Sequence, residues 1–181
     1  MFTSTLKSFP IIALALLSCD PVEPTDPQQE ELITTLSVEL MCPNSTASFS
    51  YVDIDGDGGA DPIVSVDSLD ANTVYSGSLS LLNESETPAE DITVEIFDEA
   101  DEHQFFFTSN GNSSFSYSDQ DNNGYPLGLS FELVTGDPGI EELTFTLRHL
   151  PAKGASGVSD GDITNAGGET DIEVVFEVVV Y

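Results

Sequence analysis

The chain has 181 residues, of which 33 are acidic and 3 basic, for a formal net charge of −30. Charge of this sign and size excludes nucleic acid and anionic lipid headgroups as partners, because both are held by clustered Lys and Arg; cations, basic protein surfaces and neutral ligands remain. Disorder is excluded too, since 39% of the residues are hydrophobic and they fall in patterned runs.

In chain order, the first element is a targeting segment. Lys7 is the only charge before Asp20, and Ile11 to Leu17 is an unbroken apolar run that ends at Ser18 and Cys19. A basic start, a short apolar stretch and a small residue at the cut define a secretory signal, and the run is far shorter than the ~20 apolar residues that a bilayer span needs. Leu16-Leu17-Ser18-Cys19 resembles the lipobox of bacterial lipoproteins, which implies that Cys19 is the lipidated first residue of the mature chain. Residues 1–18 are read as a lipoprotein signal peptide. Residues 19–30 hold Pro21, Pro24 and Pro27 among acidic and amide residues, and they read as a flexible acidic Pro-rich tether. Once Cys19 carries lipid only Cys42 is left, so no disulfide framework exists, and Cys42 reads as a buried inert thiol.

Residues 31–181 read as a single β domain. Leu32 to Cys42, Ala47 to Asp53, Ile63 to Val66 and Val74 to Leu82 are rich in β-branched and aromatic residues and are bounded by Gly, Asn, Asp and Pro. Further strands read at His103 to Ser109, Ser113 to Asp119, Leu127 to Thr135, Leu143 to Leu150 and Asp171 to Tyr181. Short, turn-rich spacings favour antiparallel pairing. Thr87-Pro88-Ala89-Glu90 has the form of a capping box with Pro at the first helical position, and Ile92, Ile96 and Ala100 follow at helical spacing. These features predict one short helix near 88–101, although Ile92, Val94 and Ile96 also alternate as in a strand.

The stretch Ser48 to Gly58 (SFSYVDIDGDG) recurs as Ser114 to Gly124 (SFSYSDQDNNG), and at the same offset Leu79 and Leu81 fall on Phe145 and Leu147. Self-similarity at a fixed offset marks a repeated unit. The expectation is two half-repeats, 31–101 and 102–181, packed as an antiparallel β-sandwich or a closed meander barrel.

The sharpest chemical motif lies in the first repeat. Asp53, Asp55, Asp57 and Asp61 occupy positions 1, 3, 5 and 9 of a string that turns at Gly58. Alternating carboxylates around a Gly suit calcium, a hard cation that takes six to eight oxygen ligands. The string resembles the calcium loops of integrin-type propeller repeats and, less closely, EF-hands; Val64 stands where an EF-hand has its bidentate Glu. The second copy, Asp119, Asp121 and Asn123, supplies fewer side-chain ligands. Hairpin connections favour the same residues without any metal. Calcium is the candidate cofactor at both loops, as a structural staple.

His103 and His149 are the only histidines. Two His and a carboxylate could bind zinc or shape a ligand site if the fold joins them; a strand-end histidine and a solvated face are the alternatives. The chain is expected not to be an enzyme. Gly154-Ala155-Ser156-Gly157 lacks the spacing of a nucleophile elbow, and no phosphate loop or dinucleotide fingerprint occurs. The Gly-rich loop from Ala152 to Thr170 is long enough to shape a ligand site or to be a loose crossover.

Taken together, Ala89 to Thr93 (AEDIT), Glu102 to Phe107 (EHQFFF), Leu147-Arg148-His149 and Asp160 to Asp171 (DGDITNAGGETD) resemble a group of uncharacterised acidic bacterial lipoproteins with a lipobox signal and a β-rich domain. That resemblance implies an address, a lipid anchor in a bacterial membrane (the outer membrane or the cell surface), and a fold, but no mechanism. The leading expectation is a non-enzymatic binding or accessory module for a small ligand, a cation or a protein partner, such as an outer-membrane transporter or a cationic protein. The alternative is a purely structural acidic surface protein with calcium-stapled loops.

Overall fold

The computed structural model describes residues 31–56 and 58–181. The signal peptide, Cys19 and the tether lie outside the described residues, as does Asp57. Among the described residues, no helix is long and apolar enough to cross a membrane.

The chain folds into two antiparallel sheets. The first has the order β3-β2-β1-β4-β8-β7, formed by β1 (Thr35–Cys42), β2 (Ser45–Val52), β3 (Ile63–Val66), β4 (Val74–Asn83), β7 (Ser114–Tyr117) and β8 (Ser130–Val134), with the two-residue β5 (Glu90–Asp91) against β4. The second has the order β10-β9-β6, from β6 (His103–Ser109), β9 (Gly139–His149) and β10 (Glu169–Val180). The expected mainly β, antiparallel architecture is therefore present. The sheets do not close into a barrel, so the meander-barrel alternative is set aside and the arrangement is sandwich-like.

Period-two alternation builds the core. Leu36, Val38 and Leu40 of β1 and Tyr75, Leu79 and Leu81 of β4 face inward from the first sheet. Leu143, Phe145 and Leu147 of β9 and Val174, Phe176 and Val178 of β10 meet them from the second. Aromatic rings join the layers: Phe49 lies 5.3 Å from Phe176, and Phe131 lies 5.9 Å from Phe145. Gly77 opposes Phe131 across the β4–β8 ladder, where a Cβ would meet the ring at 2.3 Å.

Residues 127–129 are not the start of a strand but a bridge between sheets. Phe105 N–H of β6 donates to Leu127 O, and Leu79 N–H of β4 donates to Leu129 O. Gly128 between them has φ +95°, and a Cβ there would lie 2.7 Å from Phe105 Cβ. The backbone reverses at this position in a way that only glycine allows.

The helix, α1 (Ile92–Asp98), is shorter than the sequence suggests and starts later. Its cap is Asp91, whose side chain accepts from Thr93 N–H, and not Thr87. Glu90 and Asp91 are taken up in pairing with Asn83 and Leu82, which delays the first helical turn. Ile92 and Ile96 bury the apolar stripe that the spacing indicated.

The two repeated stretches occupy unlike places. Ser48–Val52 lies in β2, flanked by β1 and β3, whereas Ser114–Tyr117 is β7, the edge of the same sheet. Strands β1 to β4 all enter the first sheet, while β6 to β10 divide between both. Leu79 and Leu81 lie in the first sheet, and Phe145 and Leu147 in the second.

Candidate functional site

The fold joins the two histidines. His103 opens β6 and His149 closes β9, and the antiparallel register sets them directly opposite each other. Phe105 on β6 and Leu147 on β9 point into the core. The period of two puts both imidazoles on that same inner face, at the end of the sandwich. Their rings stack with centroids 4.8 Å apart and planes 13° apart.

Two carboxylates meet them. Glu31, just ahead of β1, brings Oε1 to 3.2 Å from His103 Nε2. Asp171 Oδ2 lies 3.9 Å from the same nitrogen. The register of β10 on β9 slips between Thr170 and Ile172, so Asp171 is the extra residue of a β-bulge. A bulge re-aims one side chain out of the alternation, and here it turns Asp171 into the cluster, with its side chain fully buried. Glu102 Oε2 stands 3.8 Å from His149 Nε2 at the more exposed rim.

The electrostatics follow from the packing. Burial disfavours the His103 imidazolium, but Glu31 beside Nε2, the Glu99 carbonyl at Nδ1 and Asp171 outweigh it and raise its pKa above the ordinary 6.5. Burial likewise pushes the Glu31 carboxyl up. Its contact with His103, its own backbone hydrogen bond and the charges of both histidines bring it below the ordinary 4.5. Glu95 is raised, by burial first and then by the neighbouring carboxylates Glu31, Glu90 and Glu99.

A cleft of about 580 Å³ opens elsewhere in the fold. Its floor includes Phe115 and Tyr117, and its rim carries Asp119, Gln120 and Asp160. One wall is Ser159–Gly161, from the long glycine-rich loop. That loop is not structureless. It makes 3-10 turns at Val158–Asp160 and Ile163–Asn165, and Val158 and Ala166 pack on Phe106. Gln104 Nε2 donates to Val158 O at 2.9 Å, which fixes the loop to β6. Tyr117 O–H donates to Phe105 O at 2.7 Å, and burial pushes its pKa up to about 12.

Comparison with family models, with curated proteins and with solved structures finds no match to this chain.

The aspartate loops turn inward on themselves. Asp53 accepts from Gly56 N–H at 2.9 Å and Asp55 from Ala60 N–H at 3.0 Å, while Asp61 is exposed. In the second loop, Asp119 accepts from Gly128 and Ser130 N–H, and Asp121 accepts from Asn123 and Tyr125 N–H. The cation at Asp121 is Lys153, whose buried ammonium lies 3.1 Å from Oδ2 and also donates to Ala100 and Pro126 carbonyls. Asn123 joins through its backbone N–H. Among the described residues, the one group of His, Cys, Asp and Glu whose ligand atoms gather within 4.8 Å of one another is Glu31, His103 and His149.

Sequence reasoning singled out both histidines but missed Glu31, Asp171 and Lys153. Glu31 sits at the edge of a Pro-rich acidic run and looks like part of it. Asp171 is one acid among many in a strand whose alternation does not reveal a bulge. Lys153 did carry a signal: it is one of only two cations after the leader, and a lone cation in so acidic a chain will be drawn to a carboxylate.

Proposed function

We propose that the chain is an exported, lipid-anchored, non-enzymatic binding module that holds a small neutral or cationic ligand near a bacterial membrane surface. The observation that supports this reading is the cleft of about 580 Å³ walled by the long loop. Its volume falls in the range of ligand sites, and its mainly polar lining with the rings of Phe107, Phe115 and Tyr117 suits a small hydrophilic ligand. The rim is acidic, and an organic ammonium over Phe115 or Tyr117 would gain from the ring faces as well as from Asp119 and Asp160. The lipobox-like string ending at Cys19 and the tether behind it supply the address.

The test is thermal melting of the protein with spermidine, choline and glucose as probes of the cationic, quaternary and neutral classes. A ligand of the native state raises Tm by mass action. At least one probe is expected to raise Tm in the wild type and to lose that effect in Ser159→Tyr, whose ring fills the cleft from an exposed position. No shift with any probe contradicts the reading. Such a result favours instead the structural protein with calcium-stapled loops, for which calcium alone raises Tm and Asp53→Asn removes the rise.

A further inference from the structure

We infer that Glu31, His103 and His149 form a binding site for a divalent transition-metal ion of the zinc class. The donors come from three places far apart in sequence and converge within 4.8 Å of one another. Their side chains are only 4%, 0% and 6% exposed.

Hydrogen bonding fixes which atoms can ligate. His103 Nδ1 lies 3.2 Å from the Glu99 carbonyl, which only an N–H can satisfy. In the neutral ring the lone pair is then on Nε2, the atom that faces Glu31. His149 Nε2 and Glu31 Oε2 are buried without a hydrogen bond, and His103 Nε2 has only Glu31 Oε1 beside it at 3.2 Å. Leaving such atoms buried together is costly, and a divalent cation satisfies nitrogen and oxygen lone pairs at once. The Nδ1-to-carbonyl contact is also the usual outer support of a metal-bound histidine.

Charge and access agree. Two neutral imidazoles with the carboxylates of Glu31 and Asp171 cancel the charge of a dication in a buried place, and the β-bulge puts Asp171 there. His149 borders a cleft of about 390 Å³ with Leu150, Gly168 and Glu169, which gives an ion a way in. Gly168 keeps that wall close, because a Cβ there would strike the His149 carbonyl at 2.1 Å. Imidazole nitrogens favour zinc, copper and nickel over calcium and magnesium, which prefer all-oxygen sets. Tetrahedral zinc at about 2.0–2.1 Å from each ligand spaces the donors roughly 3.3 Å apart, so loading draws the widest-spaced donors together by up to about 1.5 Å.

The site is separate from the acid-rimmed cleft, and its test separates the two readings. The EDTA-stripped full chain in detergent is titrated with Zn²⁺, Co²⁺ and Ca²⁺, followed by calorimetry, Tm, the visible absorption of bound Co²⁺ and imidazole NMR. Because the chain has only two histidines, every imidazole signal reports the site. One equivalent of Zn²⁺ is expected to bind, shift both imidazoles and raise Tm, with Ca²⁺ doing neither. Glu31→Gln and His149→Gln keep side-chain volume and should abolish stoichiometric binding. Asp171→Asn, one shell out, should weaken it by about 10–100-fold. Ser159→Tyr should leave it unchanged. No uptake of Zn²⁺ at one equivalent, or full uptake by the His103→Gln/His149→Gln double variant, overturns the inference.

Discussion

At the scale of single residues, the two described cations, Lys153 and Arg148, are committed to structure. Lys153 reaches Ala100, Asp121 and Pro126 at once, and Arg148 donates to the Gly167 and Gly168 carbonyls and to Thr170, closing the end of the long loop. Lys153→Met strands the Asp121 carboxylate and two carbonyls. It is expected to cost about 3 kcal/mol or more in a denaturant melt. The same pair predicts the acid limb. Burial raises the Asp121 carboxyl, but backbone N–H donors and Lys153 bring it below the ordinary 3.8. Between its folded and unfolded values the unfolded chain therefore holds more protons, so this contribution is present above pH 3.8 and lost as pH falls through the folded value. Comparing Tm against pH for wild type and Lys153→Met should show the variant losing part of that slope. At the alkaline end Tyr117 has the opposite sign. Its folded pKa of about 12 exceeds the ordinary 10, so its share of stability is full below pH 10 and fades as pH climbs toward 12. Ultraviolet titration should find a phenol that ionises well above the ordinary 10, and Tyr117→Phe should remove that late step.

At the scale of elements, what could be read in the sequence is what local chemistry controls. Alternation located β1, β4, β6, β9 and β10 to within a few residues, because each buries one face on a shared core, while β3 is marked by its β-branched residues and sets only Val66 against that core. The misplaced helix start shows the limit. Thr87-Pro88-Ala89-Glu90 carries cap chemistry, yet pairing of Glu90 and Asp91 with β4 claims that segment first. The cap that forms is Asp91, and Asp91→Ala should cost about 1 kcal/mol. The bridge at residues 127–129 was hidden for a related reason. Leu127, Leu129 and Phe131 alternate as in one strand, but the hydrogen bonds of Leu127 and Leu129 go to different sheets. Gly128 makes that division and its φ is +95°. Gly128→Ala is therefore expected to cost about 2 kcal/mol, more than an exposed Gly139→Ala, around which a Cβ meets nothing. The histidine cluster was half legible for the same kind of reason. Both imidazoles stand out by scarcity, whereas Asp171 depends on a register slip that no periodicity announces.

At the scale of the whole molecule, the chain has a net charge of −30, and the cations of its sandwich-like fold are both tied down. Unscreened repulsion of this kind destabilises the compact state. Raising salt toward about 1 M, where the Debye length falls to ~3 Å, should raise Tm even with a non-binding salt. The same field concentrates cations at the surface. A cleft of about 490 Å³ is lined by Asp53–Gly56 and Thr170–Glu173, so the first aspartate loop and the bulge that carries Asp171 share one end of the molecule. The repeat seen in the sequence does not produce two equivalent halves at this scale, since β2 is an interior strand and β7 an edge. Place in the sheet is set by the strands on either side, which the two copies do not share.

The central claim is that the ends of β6 and β9 present two imidazoles and one carboxylate to a single ion. X-ray absorption at the zinc edge, on protein loaded with one equivalent, tests it most directly. The account predicts a first shell of mixed nitrogen and oxygen with outer-shell scattering from two imidazoles. A shell of oxygen alone, without imidazole scattering, would contradict it.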